Sequence, residues 1–287
     1  MRALAFDIGA THCRLALVSD TGIQTVVTTG ANATTDLEVA SQAIVSAMHV
    51  LADEADIATD ELKNLPTYLG VAGVIDRNIA QALEKRLPFT QVKIEEDRMN
   101  ALRGALGVRD GFVVHCGTGS FFARQRDGVA AFAGGWGPVL DDIASANWLG
   151  VQALRTTLYA EDGLQRHTRM TSTLLSEFGG AGEIVSYAGS AKSSEIGLIA
   201  KVVTEHAQQG DEAAVGVLQN GAAMIAEKLV QFGCTERDVI CLTGGLAPHY
   251  KAYLPTWQQR SIAEALGEPL EGAVELAKEF YAAVESS

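Results

Sequence analysis

Short apolar runs broken by polar turns fill the first part of the chain, and stripes at helical spacing dominate the rest. Ala3 to Phe6 is an apolar run that reaches a turn at Gly9-Ala10-Thr11. Cys13 to Val18 alternates Leu15 and Leu17 with smaller residues, Asp20-Thr21-Gly22 makes a hairpin turn, and the β-branched segment Ile23 to Thr28 follows. This pattern predicts a three-stranded meander. From Asp36, a good N-cap, apolar residues at 37, 40, 44, 47, 48 and 51 share one helical face up to about Ala52. Thr67 to Val71 reads as a short buried strand, followed by helices from about Asn78 to Arg86 and from about Asp97 onward.

The pattern then restarts. Gly111 to Cys116 is an apolar strand entering Gly117-Thr118-Gly119-Ser120, Phe121 to Arg126 is the return strand, and Val129 to Ala133 the third, after an Asp-Gly turn. The order matches the N-terminus with a period of just over a hundred residues, so two similarly built domains are predicted. Beyond them, Asp142 to Leu158, Leu164 to Phe178 and Ala213 to Phe232 have helical periodicity. Val239 to Leu242 is a lone strand ending in Thr243-Gly244-Gly245, and a helix from about Leu270 to Val284 comes last. The natural boundary lies between Gly104 and Gly111. It gives an N-terminal α/β domain, 1–105, which the helix 270–284 is a candidate to complete. A C-terminal α/β domain with helical insertions spans 106–287.

Composition narrows the partners. A length of 287 residues suits two linked domains. The formal net charge of -13 disfavours nucleic acid and anionic membranes. It leaves room for a nucleotide, because backbone amides and a metal ion bind phosphates locally whatever the total charge. No run approaches the length of a membrane helix, and no targeting segment precedes the first strand, so a cytoplasmic location is expected. The four cysteines, Cys13, Cys116, Cys234 and Cys241, show no metal-site spacing and read as buried, reduced thiols.

Three turns carry candidate chemistry. Asp7-Ile8-Gly9-Ala10-Thr11 brings a carboxylate, a hydroxyl and backbone amides to one bend, which suits a magnesium-bound polyphosphate. Gly117-Thr118-Gly119-Ser120 offers the same cradle without the carboxylate. Thr243-Gly244-Gly245-Leu246 joins a buried strand to a helix and can pack on a flat ring or donate to a phosphate. Singly, each is equally an ordinary hairpin or helix-capping turn; their order, with two on matched hairpins, is the informative feature.

With Gly134-Gly135-Trp136-Gly137, these motifs resemble the sugar kinase, actin and heat-shock ATPase superfamily. Within it they are similar to the BadF/BadG/BcrA/BcrD-type ATPases, and among those to bacterial glucosamine and N-acetylglucosamine kinases. The resemblance implies an α/β chain of two ribonuclease H-like (actin/hexokinase-like) domains with an interdomain cleft. It implies an ATP-dependent kinase using Mg2+, which phosphorylates an amino sugar on its primary hydroxyl. It also implies roles: Asp7, Gly9, Thr11, Gly117, Thr118, Gly119 and Ser120 for the phosphates, with Asp7 holding Mg2+ through water. Gly244, Gly245 and Leu246 would face adenosine, and Asp97 would be the general base. Asn32, Asp97, Gly135, Trp136 and Asp142 would meet the sugar, and Gly70 to Gly73 with Gly272-Ala273 would be hinges. A homodimer is one option for assembly. The alternatives are an ATPase that couples hydrolysis to a partner enzyme, and a kinase for another sugar.

The chain departs from the family pattern at Asp141-Asp142-Ile143-Ala144-Ser145, where Ile143 replaces a polar residue. Bland roles compete at several positions. Asp97 and Asp142 could favour helix starts, Asn32 could be a turn residue, and Trp136 could anchor a core. His115 reads as a structural histidine.

Overall fold

The computed structural model describes residues 1–286, which divide into two compact units: unit 1 is Met1–Arg109 with the return from Ala265, and unit 2 is Asp110–Glu264. Each unit holds a five-stranded mixed sheet, as the α/β reading expects. In unit 1 the strands are β1 (Arg2–Ile8), β2 (His12–Ser19), β3 (Gly22–Thr29), β4 (Thr67–Val71) and β5 (Val92–Glu96). In unit 2 they are β6 (Gly111–Cys116), β7 (Ser120–Arg126), β8 (Val129–Gly134), β9 (Ile240–Thr243) and β10 (Ile262–Ala263).

The sheet orders are β3-β2-β1-β4-β5 and, read in the matching direction, β8-β7-β6-β9-β10. In both, an antiparallel meander is extended by two parallel strands. The strand-level repeat in the sequence is therefore a topological repeat. The strand β5 was not expected: Val92-Lys93-Ile94-Glu95-Glu96 is only partly buried and rich in charge, and its pairing to β4 places it. β10 was likewise unexpected, being just two residues paired to β9.

Strand alternation decides what each face of the first sheet packs against. Leu4, Phe6 and Ile8 enter the core with the helix Leu37–Ala55. Ala3 and Ala5 face Ala273, Val274, Leu276 and Ala277 of the closing helix, Pro269–Glu285. That helix belongs to unit 1. It also packs on the helix Arg98–Leu106 at glycine distance: a Cβ on Gly272 would sit 2.0 Å from Asn100 O, and one on Gly104 2.4 Å from Glu268 O. Gly70 serves the same end within β4, where a Cβ would meet the Asn100 side chain at 2.2 Å. These glycines thus have packing roles inside unit 1, and the chain passes between units at Arg109/Asp110 and Glu264/Ala265.

In unit 2 the core gathers strands β6, β7 and β9 with the helices Ala146–Glu161, Ile199–Gln208 and Glu212–Gln231. Helix starts fall later than periodicity predicts. Ser145 caps the helix beginning at Ala146, and Thr168 caps the one beginning at Arg169. Asp142 and Ala144 hold positive φ (50° and 60°) and so stand outside the helix. All four cysteines are buried and none forms a disulfide, and burial pushes the Cys13 and Cys234 thiols up to about 12. Among the described residues no helix is long and apolar enough to cross a membrane.

Candidate active site

In unit 1 the candidate residues collect at the C-terminal ends of β1, β4 and β5, where an open α/β sheet ordinarily presents its ligand site. Asp7 is nearly the last residue of β1 and is buried. Arg14, its register partner on β2, donates to Asp7 Oδ2 at 3.0 Å, and Asn100 Nδ2 donates to Asp7 Oδ1 at 3.0 Å. The turn that follows is fixed by Gly9 N–H donating to the His12 carbonyl and by Gly30 and Ala31 N–H donating to Thr11 and Gly9 carbonyls. Its free groups are the Ala10 and Thr11 amides and the exposed Thr11 hydroxyl, which is the donor set a phosphate needs.

Asp97 directly follows β5 and starts the helix Arg98–Leu106, yet its side chain makes no capping hydrogen bond. The carboxyl is thus engaged by the Arg98 amide but does not make the N-cap bond to the second or third helical amide. Burial, with the nearby Asp7 and Glu96 carboxylates adding to it, pushes its pKa up to about 7; the Arg98 charge and amide only partly oppose this. A carboxyl at that value is half deprotonated at neutral pH, as a general base requires. Asn100, one turn on, carries a second signal: its Oδ1 is buried without a hydrogen-bond partner. Sequence reading missed both Arg14 and Asn100. The hairpin register could have revealed Arg14, and the one-turn spacing from Asp97 could have drawn attention to Asn100.

Asn32 lies in the same unit, but its Oδ1 already accepts from the Thr34 and Thr35 amides at 3.0 and 3.2 Å. This is the turn role; only its Nδ2 is left for a ligand.

In unit 2 the second turn is tightly wired. Gly117 N–H donates to Gly119 O, and Ser120 Oγ donates to Ile143 O at 2.6 Å. The Ser120 and Gly137 amides donate to the Asp142 carboxylate. Both Ser120 donors are thus engaged internally, leaving the Thr118 and Gly119 amides and the Thr118 hydroxyl for a phosphate. Asp142 is buried against this turn, with Oδ2 3.0 Å from where a Gly119 Cβ would be, and desolvation raises its pKa. Ile143, which replaces a polar residue of the family pattern, is part of the unit 2 core.

Trp136 is 64% exposed, which removes the core-anchor role, and Gly135 is exposed beside it. In the third turn Gly244 adopts φ +78°, where a Cβ would stand 2.5 Å from Cys116 O. Leu246 N–H donates to that same oxygen at 3.0 Å, while Gly245 has open space around it, as a surface for a flat ring would.

The residues present fit a hydrated Mg2+. This ion keeps most of its waters and needs only one or two protein carboxylates beside substrate phosphates. Asp7 is one such carboxylate, and each carboxylate oxygen can accept more than the single bond it now takes. No group of three potential metal-ligating side chains exists among the described residues.

Comparison with known proteins bears on family and fold. The family model of the BadF/BadG/BcrA/BcrD ATPase family matches residues 6–277. The chain is 25% identical over 275 residues to glucosamine kinase GspK of Vibrio cholerae, covering 94% of each protein. Over 136 residues it is 33% identical to the N-acetyl-D-glucosamine kinase of Dictyostelium discoideum, 45% of this chain and 43% of that one. Among solved structures, a putative N-acetylglucosamine kinase from Chromobacterium violaceum superposes with TM-score 0.84 at 25% identity, covering 96% and 98% of the two chains. A ROK family glucokinase from Streptomyces griseus matches in fold, with TM-score 0.57 at 18% identity over 97% and 100% of the chains.

Proposed function

This chain belongs to the BadF/BadG/BcrA/BcrD ATPase family, and on that premise we propose that it is an ATP-dependent kinase for glucosamine or N-acetylglucosamine. The phosphoryl acceptor is the primary hydroxyl of the sugar. The observation that carries the reading is Asp97: a carboxyl at a helix start that makes no N-cap hydrogen bond and whose pKa is pushed up to about 7 by burial and by the nearby Asp7 and Glu96 carboxylates.

Phosphoryl transfer asks little covalent chemistry of a protein. It needs the γ-phosphate positioned, its charge neutralised, and a proton taken from the attacking oxygen. Asp97 takes that proton. Within unit 1 the Ala10 and Thr11 amides are donors suited to phosphate oxygens, and within unit 2, taken by itself, the Thr118 and Gly119 amides are. Gly245 gives the adenine a flat surface. Mg2+, when bound with the nucleotide, neutralises charge on the phosphate oxygens, and Asp7 would hold its water shell.

The reading in which hydrolysis drives a partner enzyme through an iron–sulfur cluster has less support. Its thiolate ligands must reach a shared interface, and all four cysteines here are buried within the units.

The test is ADP release from Mg-ATP with glucosamine, N-acetylglucosamine, glucose or no sugar, followed by NMR of the product. Turnover that favours an amino sugar, with phosphate on the primary hydroxyl, is the expected result. Equal turnover of glucose would remove the amino-sugar assignment, and ADP release that ignores sugar would favour the ATPase.

A further inference from the structure

One histidine, assigned to no step above, stands where the two glycine turns of unit 2 meet. His115 is the penultimate residue of β6 and lies in parallel register with Thr243 of β9. Their side chains are joined, His115 Nδ1 to Thr243 Oγ1 at 3.1 Å. The imidazole also stacks on Phe121 of β7, with centroids 5.0 Å apart and planes at 15°. A Cβ on Gly117 would approach its Nε2 to 3.1 Å, and one on Gly244 its Cε1 to 3.1 Å. The ring is therefore wedged between the first residue of one turn and the first glycine of the other. A backbone bond runs alongside, from Leu246 N–H to Cys116 O.

We propose that His115 is a positioning residue that locks the turn Gly117–Ser120 to the turn Thr243–Leu246 at one spacing, preset for a ligand that spans both, an adenosine polyphosphate. This rests on the reading that the two turns take phosphate and adenosine. Burial lowers the His115 pKa to about 4, so the ring is neutral at pH 7 and brings no charge to an anion. What it supplies is geometry. A ligand touching both turns gains from their fixed separation, because the second contact needs no further ordering once the first is made. A ligand touching one turn gains nothing.

The experiment measures binding of ADP, adenosine and tripolyphosphate to the full chain by calorimetry. The variants are His115→Ala, Thr243→Val, their combination and His115→Gln. Thr243→Val is nearly isosteric, so it carries the test even where His115→Ala folds poorly. We expect each single variant to weaken ADP about tenfold, within the usual range of a coupling between two sites. The combination should be no worse than either, and adenosine and tripolyphosphate should be unaffected. His115→Gln, which can still hydrogen-bond Thr243, should recover most of the ADP affinity. Unchanged ADP binding, additive losses, or equal weakening of all three ligands would overturn the proposal. A wild-type chain that binds no ADP overturns the kinase reading and this one with it, whereas normal ADP binding by the variants overturns this one alone.

Discussion

Arg14 stands opposite Asp7 in the β1–β2 register and donates to its carboxylate at 3.0 Å. Asp7 is buried while Arg14 is partly exposed, so the pair is asymmetric: the carboxylate needs the cation more than the reverse. Removing one partner of a buried pair leaves an uncompensated charge. We expect Arg14→Met to destabilise unit 1 by about 1–2 kcal/mol, below the fully buried case because solvent still reaches the Arg14 side. Adding Asp7→Asn in the same chain should restore part of that loss in thermal melts. A double variant as unstable as the sum of the singles would show that the ion pair is not the cause.

Asp97→Asn tests the base. The amide still hydrogen-bonds a hydroxyl but cannot take its proton, so kcat should fall about 100-fold or more with ADP affinity little changed. Retention of a third of the activity would assign the proton to another group.

The same residue predicts the pH dependence. Deprotonated Asp97 is the active form, so kcat should rise with pH through about 7 and level off above it. Glu96 is one of the causes of the raised value, so Glu96→Gln should move that limb to lower pH. For stability the sign is opposite. The folded state binds this proton more tightly than the unfolded chain does, so the contribution of Asp97 is full below about 4 and is lost as pH rises through about 7. A kcat limb near 4 would contradict the raised value.

Asn100 and Gly70 make a coupled pair. Asn100 Nδ2 bridges Phe6 O at 3.1 Å and the Asp7 carboxylate, and its amide lies where a Gly70 Cβ would intrude at 2.2 Å. Gly70→Ala should cost about 1–3 kcal/mol by overpacking. In an Asn100→Ala background, with the obstructing amide gone, the same change should cost far less. Equal costs in the two backgrounds, read from urea unfolding, would show that the clash is relieved elsewhere.

Gly272→Ala should be harsher, because the atoms a Cβ would meet are backbone: Asn100 O at 2.0 Å and Gly104 N at 2.4 Å. Backbone in a packed helix pair cannot rotate away as a side chain can. We expect a loss of at least about 3 kcal/mol, at the upper end for overpacking, and a clearly lowered melting temperature. A melting temperature like that of wild type would mean that the two helices separate at little cost.

The sequence by itself determined the repeated meander, the two-sheet α/β class and the three glycine turns. These rest on local physics: period-two alternation, β-branched runs and residues that tolerate tight bends. It also singled out Asp97, but by resemblance to known kinases, since an acidic residue at a helix start has an ordinary local explanation. Only the tertiary structure decided between such explanations. Asp97 was found to make no N-cap hydrogen bond and to lie under the electrostatic influence of Asp7 and Glu96, and Asn32 was tied to its turn through the Thr34 and Thr35 amides. Ile143 went to the core, and the strand β5 formed from a half-charged segment because β4 was there to pair with it. Arg14, Asn100 and His115 became visible in the same way. Their partners are across a hairpin, a sheet or more than a hundred residues of chain, and contacts over such separations leave no period in a single sequence.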